Sequence, residues 1–271
     1  MRERDGDRVS TGRVRHGTLR RVGLAGCLAL CPGAVFAESG TETGVTLIAG
    51  AGVSHASLAF TAPNALVSTR IDALPVLRLG VEAWPERALG LHAELDLGTG
   101  AQLGVPGTNA RLAYNAHQLR AGGWYRWQPA PGGDGWDVRL GLGLQAVSQH
   151  VQAQNPALLV ESQVAGPALE SRVDKFFLSR RLHLGLGVGA ALPFFVRETP
   201  RDSGDAGRFY AWGVGFDAGF ALGPALALAL DVRHIDQTVV FRGEGTRATG
   251  TSRGRTHDAF TTGVLSTRWH L

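Results

Sequence analysis

The sequence predicts an all-β protein, an antiparallel up-and-down transmembrane β-barrel of about ten strands, with eight and twelve as the alternatives. Three observations carry this. Large apolar residues recur at every second position through most of the chain. The positions between them are small or carry isolated charges, and aromatic residues bound the apolar band at both ends. The stretch from Phe209 to Val232 shows why the period decides. Averaged over a window it is apolar for long enough to suggest a membrane helix, which needs about 20 residues. Yet Tyr210, Trp212, Val214, Phe216, Ala218, Phe220 and Leu222 alternate with Ala211, Gly213, Gly215, Asp217, Gly219 and Ala221. A strand sends successive side chains to opposite faces, so this is one large-apolar face and one small or polar face. Gly223-Pro224 breaks the run, and Leu226, Leu228, Leu230 and Val232 resume it on a returning strand.

The chain opens with a leader. Arg20-Arg21 precede an apolar run from Val22 that ends Val35-Phe36-Ala37, small residues standing at the third and first places before Glu38. That is the pattern of a secretory signal peptide cut between Ala37 and Glu38, behind a polar N-terminal extension, and it assigns residues 1–37 to the leader. Leu24-Ala25-Gly26-Cys27 matches a lipoprotein box, but too few apolar residues separate Arg21 from Cys27 for that cut. Seven of the 27 basic and three of the 23 acidic residues fall within residues 1–37, leaving twenty of each sign. The basic excess belongs to the leader, and nothing points to a nucleic-acid partner. Cys27 and Cys31 also lie there, so the mature chain holds no disulfide, thiolate ligand or cysteine nucleophile.

After a linker, residues 38–43, the barrel occupies 44–271. Val45, Leu47, Ala49, Ala51 and Val53 give a first strand, and a loop around Pro63-Asn64 follows. The second strand puts Ile71, Ala73, Leu77, Leu79, Val81 and Ala83 on one face, with Asp72, Arg78, Gly80 and Glu82 on the other. In the third, Leu89 to Leu97 alternate without exception with Gly90, His92, Glu94, Asp96 and Gly98. The fourth carries Leu119, Ala121, Tyr125 and Trp127 against Gln118, Arg120, Gly122 and Arg126. The fifth carries Trp136 to Ala146 against Asp137, Arg139, Gly141, Gly143 and Gln145. A sixth, near Arg172 to Ser179, has ambiguous parity at Phe176-Phe177. The seventh alternates Leu182 to Phe194 with His183, Gly185, Gly187 and Gly189. The Phe209–Val232 hairpin follows, and Leu265, Thr267, Trp269 and Leu271 mark the last strand. Connections near 61–69, 152–170 and 243–257 read as long, and those near 85–88, 180–181 and 223–224 as short, the asymmetry of a barrel whose short turns face the periplasm.

A soluble sandwich would also alternate, but this polar face lacks dense Lys and Glu, and Lys175 is the sole lysine. Trp127, Trp136 and Trp269 fall at the short-turn side of the leucine band, Tyr210 and Trp212 at the long-loop side, as interfacial girdles. The lumen face then holds Arg78, Arg120, Arg126, Arg139, Arg233 and Arg268 against Glu82, Glu94, Asp96, Asp137, Asp217 and Asp231. Charges in a narrow lumen pair or are very costly, so the balance predicts a salt-bridge network that fills the barrel. His92, Glu94 and Asp96 share that face, and with no fourth group to complete a metal or acid–base site they read as lumen pairing. Asp231 and His234 have opposite parity and share no proton relay. Arg242, Arg247, Arg253 and Arg255 read as a solvated loop that touches lipopolysaccharide in the alternative. No catalytic residue, metal site or cofactor is expected.

On signal peptide, alternating strands, loop asymmetry and a final strand with Trp269 near its end, the mature chain resembles the small outer-membrane β-barrel proteins of Gram-negative bacteria. The resemblance is architectural and carries over no functional residue. It implies residence in the outer membrane, lipid and lipopolysaccharide neighbours, the barrel-assembly machinery during biogenesis, and a monomer. The function expected is non-enzymatic, with a plugged lumen and interaction through outer loops. A narrow pore or carrier for small solutes, and a barrel enzyme acting on lipid or peptide, are the alternatives.

Overall fold

The computed structural model describes residues 43–104, 109, 111–129, 134–152, 159–192, 194–250 and 252–271. The leader, with Ala37 and Glu38, and all but the last residue of the linker lie outside the described residues. Eleven strand segments follow in order: β1 (Gly44–Ala62), β2 (Ala65–Trp84), β3 (Leu89–Gly104), β4 (Arg111–Trp127), β5 (Trp136–Val151), β6 (Glu161–Phe177), β7 (Leu182–Ala191), β8 (Phe195–Thr199), β9 (Asp205–Ala221), β10 (Leu226–Arg242) and β11 (Arg253–His270). Segments β7 and β8 both pair with β6, so they are two pieces of one strand and the barrel has ten. All neighbours run antiparallel, and β11 closes the cylinder on β1. Segment β9 pairs with β7 up to Ala211, and no ladder joins it to β8 among the described residues.

The outward face is a band of exposed Leu, Val and Phe, with Leu142, Leu186 and Leu265 all at least 60% exposed. Exposure on this scale is tolerable only against an apolar medium, since soluble monomers rarely show apolar patches above a few hundred Å². Crossing a bilayer takes about 9–11 tilted residues. Most strands here have 16 to 20. Each of these therefore continues beyond the apolar band, on the side of the Pro63-Asn64 turn.

That continuation corrects the expected loops. Strand β1 runs to Ala62 and turns at Pro63-Asn64 into β2, while β6 already begins at Glu161 and β11 at Arg253. Long connections were expected there because the apolar pattern changes face outside the lipid. Above the band, outward positions meet water and the apolar residues turn inward. On β1 the switch is written in sequence alone, with outward Val53 giving way to inward Ala56, Leu58 and Phe60. On β2 it uses a bulge, where Ser54 pairs with Leu74 but Ala56 pairs with Ile71. The extra residue flips the parity of β2. Ile71 thus faces the interior and Asp72 faces out, opposite to the face that simple alternation gives them. A second bulge, between Gly98 and Ala101, does the same for β3.

Candidate functional site in the lumen

The charged interior is built by strands whose inward positions carry arginines and carboxylates interspersed with glycines. Arg78, on β2, is 1% exposed and forks onto Asp96 of β3, its Nε and Nη2 donating over 2.6 and 2.7 Å. Its Nη1 reaches Asp231 of β10 at 2.6 Å. Since β1 and β11 lie between β2 and β10, that side chain spans a sector of the lumen. The residue in register with it on β1 is Gly50. Glu94 collects Arg120 at 2.5 Å and Arg233 at 2.7 Å, with Arg78 at 3.4 Å.

A second cluster draws its members from β2, β5, β6, β7, β9 and β11. Glu82 accepts from Arg139 at 2.7 Å and from the Trp84 indole at 2.6 Å. Arg172 donates to Asp174 and to Asp217, each at 2.7 Å, and Asp217 also meets His183 at 2.8 Å. Arg268 stands 3.7 Å from Asp217. Asp217 and Asp231 are directly opposed on β9 and β10. Like charges so placed repel, and each is matched by its own guanidinium, Arg172 for one and Arg78 for the other.

Glycine makes this packing possible. A Cβ on Gly185 would clash with the carboxylates of Asp217 and Asp174, and one on Gly219 would overlap the His183 ring. Two inward tryptophans are seated in the same way, Trp84 over Gly90 and Trp124 over Gly141. Trp84 carries the Arg126 guanidinium 4.0 Å above its ring, and Arg126 donates to the Arg87 carbonyl at the neighbouring turn. Asp137 accepts from Gln128 at 2.9 Å and lies 3.5 Å from Arg180.

All thirteen charged residues singled out from the sequence face the interior, Arg78, Glu82, His92, Glu94, Asp96, Arg120, Arg126, Asp137, Arg139, Asp217, Asp231, Arg233 and Arg268. His92 does not join Asp96; it stacks 4.9 Å from the Trp124 ring and lies 3.9 Å from Glu170. Trp127, Trp136, Tyr210, Trp212 and Trp269 all point outward, each exposed. Sequence reasoning missed Glu170, Arg172, Asp174 and His183. The first three belong to β6, whose inner half was read as connection and ambiguous strand. The signal was present in Glu170, Arg172 and Asp174, three charges at period two. His183 was placed on the right face but not recognised as a partner for Asp217.

Asp174, His183 and Asp217 present three ligand-type atoms within 4.8 Å of one another. Arg172 already occupies both carboxylates, so the chemistry is that of an ion-pair cluster, not of a cation site. A cavity of about 120 Å³ remains between the two networks, lined by Glu82, His92, Glu94, Arg120, Arg172 and Arg268 among others. At about 30 Å³ per water it has room for a few solvent molecules.

No protein-family model matches the chain, and no curated protein matches it in sequence. Solved structures do match it in shape. The outer membrane protease OmpT from Escherichia coli aligns with a TM-score of 0.61 at 9% identity, over 85% of this chain and 98% of that one. The outer membrane protein OprG from Pseudomonas aeruginosa aligns at 0.41 and 14% identity, over 86% and 99%. The P. putida toluene transporter TodX aligns at 0.36 and 8%, over 84% and 90%. The protein is a ten-stranded antiparallel β-barrel, structurally similar to known Gram-negative outer-membrane barrels. Its fold and its internal salt bridges are consistent with residence in that membrane.

Proposed function

We propose that the protein is a non-enzymatic outer-membrane barrel, exported behind a leader cut between Ala37 and Glu38. Its lumen is closed by salt bridges, and it acts through the part that projects beyond the outer leaflet. It works as a monomer among outer-membrane lipids and lipopolysaccharide, and reaches the membrane by way of the barrel-assembly machinery. The observation that supports closure most directly is Arg78, strung from β2 to Asp96 and Asp231 with 1% of its surface exposed. A pathway through the sector between β2 and β10 would have to displace a charge held by two carboxylates, and breaking such a buried pair costs about 3–5 kcal/mol.

Planar-bilayer recording tests the reading. The wild-type barrel is expected to give no resolved steps, whereas Glu94→Ala with Arg120→Ala, which removes two facing side chains together, is expected to conduct. The double variant also reports that the protein has inserted. Steady ion-selective steps from the wild type would replace the closed barrel with a narrow pore for small solutes.

A further inference from the structure

The lumen arginines have carboxylate or carbonyl partners; a group on the outer wall does not. Arg208 on β9, Arg242 on β10, and Arg253 and Arg255 on β11 are all exposed. All four share the outward parity of Tyr210 and Trp212 on β9 and of Leu265 and Trp269 on β11. Register brings them together. Arg242 pairs directly with Arg253, while Arg208 and Arg255 flank Val240 in one row. The Arg242 side chain lies across Gly207, next to Arg208, because a Cβ on that glycine would come within 3.0 Å of it. Acidic residues are near in sequence: Asp205 is in register with Arg242, Glu244 follows it, and Asp236 holds His257 at 2.8 Å. Among the described residues none of these comes within 4 Å of the four guanidinium groups. Like charges directly opposed on one face of a sheet destabilise it, so the arrangement calls for an anion from outside the chain.

Position identifies which anion. Arg255 Nη2 donates to the Tyr210 hydroxyl over 3.3 Å, which ties the cluster to the outer aromatic belt. Arg208 stands two residues above Tyr210, about 6.6 Å along the strand and about 5 Å in height at a tilt near 40°. That is headgroup level. We propose that Arg208, Arg242, Arg253 and Arg255 form a binding site for the phosphate groups of an outer-leaflet lipopolysaccharide molecule, with its acyl chains lying against the apolar face of β9 to β11. Guanidinium groups suit it because their forked donors match phosphate oxygens in pairs.

The site rests on the barrel spanning the outer membrane but not on whether its lumen is closed. The test is calorimetric titration of the mature barrel in neutral detergent with lipopolysaccharide, with its phosphate-stripped form, and with phosphatidylglycerol. Folding is checked for each variant by heat-modifiable gel migration. Removing one cation near a charged lipid surface changes affinity on the order of fivefold. R242Q with R253Q is therefore expected to weaken lipopolysaccharide binding on the order of 25-fold, and R242K with R253K to weaken it less. R70Q is the control, because Arg70 has its own carboxylate, Asp72, at 3.2 Å. The proposal is overturned if the folded R242Q/R253Q barrel binds within twofold of wild type, or if R70Q loses as much. Equal binding of the phosphate-stripped lipid, or of phosphatidylglycerol, overturns it too. Bilayer conductance reads the lumen independently, so either proposal can fail alone.

Discussion

Around Arg78 the interior is a lattice of guanidinium and carboxylate groups; farther out, around Tyr114, it is hydrocarbon. The outer core packs Leu58, Ile71, Leu74, Leu103, Leu112, Val147 and Phe260 about the Tyr114 ring. Its outward residues are polar, His55, Asp72 and Asn115 among them, whereas those around the charged half are leucine, valine and phenylalanine. The same strands build both halves, so propensity does not separate them. The medium does. Where lipid surrounds the wall the apolar residues face out and the interior takes what remains. Where water surrounds it the assignment reverses, and the outer half packs like an ordinary soluble sheet. One cylinder therefore has two cores that depend on different forces.

The largest effect should come from the charged core. Arg78→Met leaves Asp96 buried without a cation and Asp231 with only Arg233, 3.5 Å away, and losing one partner of a buried pair costs about 3–5 kcal/mol. Urea unfolding of the barrel in detergent measures it. Replacing both carboxylates as well, by Asp96→Asn and Asp231→Asn, should recover most of the loss. If the triple variant is no better than the single one, Arg78 acts through its bulk and not its charge.

Phe260→Ala probes the other core. Phe260 is 1% exposed and sits in the outer cluster. A Phe-to-Ala cavity costs about 3–5 kcal/mol, and this one should be felt locally. Amide exchange should accelerate at Leu58 and Tyr114 and stay slow at Leu79 and Leu95 beside the salt bridges. Equal acceleration in both halves would show that the two cores unfold as one.

What was legible in the sequence follows from the same contrast. In the lipid-facing half the alternation is strong, as in Leu89 to Leu97 against Gly90 to Gly98, and it reveals both strand and face. The outer half alternates too, but with the opposite sense, so Leu58 and Phe60 do not extend the pattern of Leu47 and Val53, and the first strand reads as ending near Val53, well before the loop around Pro63-Asn64. Bulges hide the change on β2 and β3, because one inserted residue inverts every later position. At the site, single-strand parity located the charges but not their partners. Arg78 meets Asp231 because small residues, Gly50 and Ser266, stand in register between their strands, and Arg247, assigned to a solvated loop, instead stacks 4.0 Å over Phe60 and binds Glu198 at 3.1 Å. Partner choice across the lumen depends on which strands close the cylinder, and no local pattern encodes that.

The smallest expected effect concerns a carboxylate on the apolar side of this divide. Asp258 is buried in the outer half, where it accepts from Gln149 at 2.8 Å and Gln237 at 3.3 Å, and Gln149 in turn accepts from the Tyr114 hydroxyl. An ionised carboxylate buried on this side costs more than a neutral acceptor of the same shape. Asp258→Asn should therefore make the outer half more resistant to exchange at pH 7, by on the order of 1 kcal/mol. A neutral amide keeps an acceptor for Gln149 while removing the buried charge. If Asp258→Asn instead loosens the outer half at pH 7, the ionised carboxylate belongs there, and charge is tolerated on both sides of the divide.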